Sequence, residues 1–412
     1  MQRLPTLSQS SWLRYSTFFY LYFMQGVPSG FALTALVNYL TAKGTSPEVL
    51  GSFMSIIGIP WIIQLVWGPL IDRYRYSVVG HYKHWILLTQ LAAFAASLLL
   101  LIVDSPENQV WLLAGLFFTH SLFASVQDAS VDALAILATP PAEQGRVNAF
   151  MRGGILLGIS AGAAGLSIVL HHWGFRAAVL LQSGLLLFFT LLFFVTKLYS
   201  TDPLIPRLGG GVDPQTGNGQ SRKLSAVFKQ LGRALFTGPN LRIFAVIGTC
   251  YFCFSVFRRS INYYVIRSLN WSDQDLSVLS GSWGALVTLS VMALSGFFAD
   301  KWGPTRLQRI VLTALALFIL VFSASLLFTS SRVVVTSGLL AWGVADPLYS
   351  IAAFPILMLL CNKEIAGSQF TAYMALINLA EIGGGYISGW LLLWIPGSTL
   401  GIGAGAVLLL LA

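Results

Sequence analysis

The chain has 412 residues, 56% of them hydrophobic and only 9% charged, with a formal net charge of +9 and a mean hydropathy of +0.75. Soluble domains carry about 25% charged residues, so a soluble core cannot hide this much apolar sequence, and lipid must be the main solvent. The basic balance does not point to nucleic acid, because the cations sit in short loops between apolar runs, as the positive-inside rule describes.

A spanning helix needs about 20 apolar residues. Twelve spans are predicted: Thr17–Leu40, Val49–Ile71, Trp85–Val103, Val110–Leu137, Val147–Leu170, Ala177–Leu198, Leu241–Arg267, Leu276–Ala299, Ile310–Phe328, Val333–Leu360, Gln369–Trp394 and Ser398–Ala412. The first is too long for a signal peptide and lacks a small-residue cleavage site. The last is short and has no tail, as expected of a chain that continues past Ala412. With the N-terminus inside, the inner loops hold eighteen of the 24 Lys and Arg residues. The outer loops hold Lys43, Arg176, Arg267 and Arg332, and Arg258 and Arg259 remain within span 7. Both termini are therefore expected in the cytoplasm. The expectation is an all-α, monomeric integral membrane protein of the cytoplasmic membrane.

Taken in order, span 1 offers Gln25 to a solute and span 2 offers Gln64. Span 2 ends on Gly68-Pro69-Leu70-Ile71-Asp72-Arg73. Span 4 carries Gln127-Asp128-Ala129-Ser130-Val131-Asp132-Ala133. Asp128 and Asp132 lie four apart, hence on one face. Ionisable groups in lipid are costly and mark candidate sites, so this pair is suited to carrying a proton. Asp132, nearer the cytoplasmic end, is alternatively a structural partner of Arg146 or Arg152. His120 in span 4 reads as a hydrogen-bonded core residue, and His81 and His84 without a nearby acid make a poor metal site. Span 5 places Gly154, Gly158 and Gly162 on one face, where they let a neighbouring backbone approach closely.

Tyr199–Asn240 contains Gly209-Gly210-Gly211, Pro203, Pro206, Pro214 and a basic amphipathic piece, Ser221–Phe236. It reads as a linker (199–240) between halves 1–198 and 241–412, its basic piece lying on the inner membrane surface. No Gly-x-x-x-x-Gly-Lys-Ser/Thr is present, and no ATP site or cofactor is expected. In span 7, Cys250 and Cys253 have no acidic or His neighbour and read as packing residues. Arg258 and Arg259 point about 100° apart. One is expected to clamp an anionic solute from the central cavity, with Asn262 and Tyr263 continuing the polar surface. The loop after span 8 reads Gly296-Phe297-Phe298-Ala299-Asp300-Lys301, with Arg306 following. In span 10, Asp346 lies mid-helix before Pro347, which is expected to free a backbone carbonyl. In span 11, Glu381 lies beside Asn378 and Gly383-Gly384-Gly385, with Gly385 and Gly389 on one face. Asp128, Asp346 and Glu381 are the proton-coupling candidates. Gln25, Gln64, Arg258, Arg259, Asn262, Tyr263 and Asn378 are the solute candidates.

The two Gly-x-x-x-Asp-Arg/Lys loops each follow the second span of a half, which points to an internal duplication. They resemble the signature loop of the major facilitator superfamily, with Gly68, Asp72, Arg73, Gly296, Asp300, Lys301 and Arg306 in the gating role. That resemblance implies a twelve-helix fold of two pseudo-symmetric six-helix halves and alternating access around a central cavity. Leu21-Tyr22-Phe23-Met24-Gln25-Gly26-Val27-Pro28-Ser29-Gly30 in span 1, Gly58-Ile59-Pro60-Trp61 with Trp67-Gly68-Pro69-Leu70-Ile71-Asp72-Arg73 in span 2, and Gln127-Asp128 through Asp132-Ala133 in span 4 are similar to the AmpG-like permeases. That branch includes muropeptide permeases, acetyl-CoA transporters and single-component iron-siderophore permeases. Gln64 stands where the branch's span 2 signature has lysine. Span 7 has Arg258-Arg259 in place of a Lys/Arg-x-Gly-Asp pattern, and the extra C-terminal helices of many muropeptide permeases are missing. These departures favour import of a ferric siderophore by proton coupling, with a muropeptide as the alternative. A membrane enzyme would need a nucleophile–base pair or metal cluster, which the sequence does not offer. A non-transporting sensor would need a sizeable soluble output domain.

Overall fold

The computed structural model describes residues 6–73, 82–140, 143–200, 229, 232–233, 235–283, 286, 304–360 and 366–412. Among them are fourteen α-helical segments. α1 (Ser11–Gly30) starts ahead of the predicted Thr17 because the Ser10 hydroxyl accepts the Leu13 N–H at 3.3 Å, capping the helix. It continues through a π turn (Phe31–Ala35) into α2 (Leu36–Ala42). α3 (Pro47–Arg73), α4 (Lys83–Leu99) and α5 (Val110–Ala138) follow. α6 (Gln144–Ser160), a second π turn (Ala161–Gly165) and α7 (Leu166–Val195) form one apolar run. It bends at Gly174, whose φ of 82° and ψ of 174° suit glycine and few other residues, and this corner separates predicted spans 5 and 6.

α8 (Gly238–Arg267) leads to the short α9 (Asp273–Val278) and a third π turn (Leu279–Trp283). α10 (Pro304–Phe328), α11 (Arg332–Trp342), α12 (Ala345–Leu359), α13 (Ala366–Leu391) and α14 (Gly397–Leu411) complete the chain. Six helical runs among the described residues are long and apolar enough to cross a membrane. The fold is thus an all-α integral membrane fold with several apolar helices.

Predicted span 10 is not one helix. It turns at Gly343–Val344 and restarts at Ala345. Pro347 therefore sits in the first turn of α12, where N–H groups have no intrahelical acceptor, and it frees no carbonyl within a helix. Gly68, Asp72 and Arg73 occupy the last turns of α3, with side chains outside the described set. Gly296, Asp300 and Lys301, with most of predicted span 8 and linker residues 201–228, lie outside the described residues.

One buried core draws only on residues between Ile247 and Leu408, and two others only on residues between Leu7 and Leu198. Several of the close helix contacts fall on glycines of the predicted faces. A Cβ on Gly158 would stand 2.9 Å from the Gly26 Cα, and one on Gly26 would stand 2.8 Å from the Gly158 Cα. α1 and α6 thus meet backbone to backbone. Gly51 and Gly389 do the same for α3 and α13, with Cβ-to-Cα approaches of 3.2 and 3.1 Å. Gly158→Val is expected to lower the melting temperature of the purified protein, at an overpacking cost of about 1–3 kcal/mol. Gly153→Ala, one residue outside the ladder where an added Cβ meets nothing within 4 Å, should instead raise the melting temperature slightly, because glycine in a helix interior is about 0.5–1 kcal/mol less stable than alanine.

Two polar ties brace the end of the bundle opposite the Lys43 loop. Lys83 is buried at the start of α4 and donates to the carbonyls of Phe194, at 2.8 Å, and Thr196. A cation there complements the C-terminal end of α7. Buried Arg14 pairs with Glu143 at 2.7 Å and donates to the Leu7 carbonyl at 2.6 Å, while the Ser11 hydroxyl donates to Glu143 at 2.8 Å. The hydrogen bonds from Arg14, then from Ser11, hold the Glu143 carboxyl below its ordinary range. A carboxyl depressed in this way contributes stability at neutral pH that is lost as pH falls through its folded value. Glu143→Gln should therefore melt below wild type near neutrality, with the two curves converging in acid.

Candidate functional site

Three helices converge on the acid pair of α5. Gln64 on α3 donates its Nε2–H to Asp128 Oδ2 at 2.6 Å. Tyr22 on α1 donates its hydroxyl to Asp132 Oδ1. One turn from Gln64, the Trp67 indole donates to Ser125 Oγ at 3.1 Å. Gln64 is buried and both carboxylates are half-buried. The described donors to the two acids are neutral, so they satisfy lone pairs without cancelling charge. Arg152 on α6 supplies positive charge that acts on both acids, in line with one of the two structural partners expected for Asp132. Chemically, the arrangement is a carboxylate pair with fixed neutral donors, in which one bound proton ends the repulsion between like charges. Tyr22 was not among the sequence candidates. The available signal was its place in the span 1 motif, three residues before Gln25 and hence on the same helix face.

A second group gathers around Trp61, one turn before Gln64. A cavity of about 20 Å³ is lined by Gln25, Ser29, Trp61, His120 and Ser121 among others, enough for about one water. Gln25 is buried, and among the described residues neither polar atom of its amide has a hydrogen-bond partner. Its donor and acceptor capacity is therefore open to whatever enters from the cavity. His120 bonds the Ala93 carbonyl through Nδ1 at 3.0 Å and is buried, which is the core role read from the sequence. From α13, the Asn378 amide reaches the Trp61 carbonyl at 3.5 Å, the outer limit of a hydrogen bond. Ser255 on α8 donates to the Glu381 carbonyl at 2.6 Å, tying α8 to α13. Glu381 itself is half-buried. Asp346 lies in the first turn of α12, and its side chain is outside the described set.

The arginines of α8 diverge. Arg258 is exposed, whereas Arg259 is buried, with Nε and Nη2 lacking hydrogen-bond partners among the described residues. Asn262 and Tyr263, a turn further on, are half-buried. No described hydrogen bond links this patch to the Asp128 group. Arg306 is exposed at the start of α10.

The sequence profile described as Major Facilitator Superfamily matches residues 17–385. The chain belongs to the major facilitator superfamily. Within it, the anhydromuropeptide permease of Escherichia coli (strain K12) is 24% identical over 379 residues, covering 89% of this chain and 72% of that one. AmpG 3 of Rickettsia prowazekii (strain Madrid E) is 30% identical over 139 residues, 32% of each chain. These relatives put the chain in the AmpG-like branch of the superfamily. The nucleoside transporter NupG superposes with a TM-score of 0.69 at 14% identity, covering 97% of both chains. A POT family transporter in complex with 5-aminolevulinic acid gives 0.70 at 12% identity, covering 96% of this chain and 94% of that one. At such identities the structural likeness concerns the fold alone. Membership makes this major facilitator protein a multi-pass secondary transporter of small solutes rather than an enzyme.

Proposed function

We propose that this protein is a proton-coupled importer of the cytoplasmic membrane for an amphipathic, partly anionic solute of the muropeptide class. In this reading, two six-helix halves, 1–198 and 241–412, are joined by a cytoplasmic linker, 199–240. Both termini are inside, the protein works as a monomer, and the halves rock around a central site. The observation that carries the reading is the Gln64–Asp128 hydrogen bond at 2.6 Å. It holds an acid inside the bundle on a neutral donor, next to a second acid one turn away. Asp128 is the leading proton carrier, with Asp346 and Glu381 as the other candidates. Gln25, Gln64, Arg259, Asn262, Tyr263 and Asn378 are proposed to meet the solute, with Arg258 at the rim.

The muropeptide class takes precedence over a ferric siderophore because the relative covering 89% of this chain is a permease named for anhydromuropeptide. The replacement of the branch's span 2 lysine by Gln64 remains compatible with it. An uncharged amide keeps the hydrogen bond to Asp128 while leaving the acid's charge to be managed by protons.

The test is counterflow of labelled anhydromuropeptide in proteoliposomes, with a ferric siderophore in a parallel arm. Anhydromuropeptide should accumulate under an inward proton gradient and be released by a protonophore. Accumulation of the siderophore alone would reverse the choice of solute. Counterflow of neither, with intact folded protein, would remove the muropeptide assignment.

A further inference from the structure

At the end of the bundle that carries the Lys43 loop, the N-terminal and C-terminal helices close on each other. Asn38 on α2 donates to Ser277 on α9 at 2.9 Å. The second and third π turns stack there, so that a Cβ on Gly281 would stand 2.8 Å from the Ala164 nitrogen. Beside them, His171 on α7 faces Asp273 on α9, with Nε2 3.0 Å from Oδ2. The proton-coupling candidates take no part in this contact.

The hydrogen-bond positions of the His171 ring define its proton count. Nδ1 lies 2.8 Å from the Ser167 carbonyl oxygen. A carbonyl only accepts, so Nδ1 carries the hydrogen. In the neutral ring, Nε2 then carries no hydrogen and offers the carboxylate oxygen 3.0 Å away neither a proton nor charge. Asp273 Oδ2 is buried and, among the described residues, has no hydrogen-bond partner, so charge is what His171 has to offer it. A second proton on the imidazole supplies that charge and makes the contact attractive. The other charged or titratable groups at this end are Tyr39 and Lys43 from α2, Glu107 from the loop before α5, Arg267 from the end of α8 and Asp275 on α9. His172 and Arg176 lie on α7 itself. Tyr39 stands edge-on to the His171 ring at 6.0 Å and takes Lys43 over its own face at 5.3 Å. Arg176 is occupied by Asp104 at 2.6 Å. None of these has a described hydrogen bond to Asp273 Oδ2.

We propose that His171 and Asp273 form a second proton-binding site, at the interface of the two sets of helices, whose occupancy holds this end closed. The inference rests on the alternating-access reading, because the contact matters for transport only if this end opens. An imidazolium faces the carboxylate in the closed form and is without that partner in the open form. Closure is therefore favoured at low pH and weakened as pH rises.

The test is the distance between spin labels at Asn108 and Ser268, which are exposed on opposite sides of this seam. The full chain would be placed in nanodiscs, with the three native cysteines replaced, and read between about pH 5 and about pH 9, which brackets the imidazole range. The wild-type distribution should shift from short to long as pH rises. His171→Gln and Asp273→Asn should each abolish the shift. Asn38→Ala breaks the neighbouring contact, which does not titrate, and should lengthen the distance while preserving the pH dependence. A wild-type distribution that does not move with pH, or variants that titrate like wild type, would overturn the proposal. Melting curves identify any variant that fails to fold, in which case His171→Asn takes its place. Loss of counterflow with the pH-dependent shift intact would instead count against the transport reading.

Discussion

Asp128→Asn is expected to abolish solute accumulation driven by a pH gradient while leaving exchange of solute for solute partly intact. The substitution keeps the shape of the side chain, and the Gln64 amide can still donate to the new amide oxygen, so the convergence of α1, α3 and α5 should survive. What is lost is the exchangeable proton. A carrier that binds solute but not the proton can equilibrate solute across the membrane without concentrating it. Tyr22→Phe makes the matching partial change, because it removes the hydroxyl that donates to Asp132 while leaving both acids in place. It should weaken gradient-driven uptake less than Asp128→Asn does. Asp346→Asn and Glu381→Gln in the same assay identify whether either of these acids carries the proton instead. Normal concentrative uptake by all three acid variants would refute coupling through these residues.

The sequence was most informative where a physical constraint leaves few solutions. Apolar runs long enough for lipid and glycines at four-residue spacing reappear as helices and close contacts. Gly154, Gly158 and Gly162 meet α1 as their spacing required, but the facing glycines, Gly26 and Gly30, became evident only from the packing. The acid pair was legible because charge in lipid is conspicuous. Its partners were less so: nothing in the spacing of Gln64 or Tyr22 says which helix each faces, since helix order around a bundle is a long-range property. The break at Gly343–Val344 was missed because Pro347 suggested a kink in a continuous helix, whereas it sits in the first turn of a new one. The His171–Asp273 contact was equally hidden, with its two residues about a hundred positions apart in the chain and each at an unremarkable helix end.

Arg259→Lys is expected to weaken solute binding by about 1–3 kcal/mol with little change in fold. Arg259 is the buried member of the pair, and its Nε and Nη2 have no hydrogen-bond partners among the described residues. A guanidinium in that condition costs several kcal/mol unless an anion meets it. The described residues do not supply that anion through a hydrogen bond, and a carboxylate on the solute would. A carboxylate accepts two parallel N–H bonds from the planar fork, which lysine's point charge cannot reproduce. Lysine thus keeps the charge but not the paired geometry, while Arg259→Met removes both and should weaken binding further. Arg258 is exposed and about 100° away around α8, so Arg258→Lys should leave affinity unchanged. Titration calorimetry with anhydromuropeptide, and with an analogue whose carboxylate is converted to an amide, reads the assignment directly. The amide should lose affinity on the wild type and little more on Arg259→Met. An Arg259→Lys protein that binds as tightly as wild type, or an amide analogue that loses as much on Arg259→Met as on wild type, would show that the carboxylate goes elsewhere.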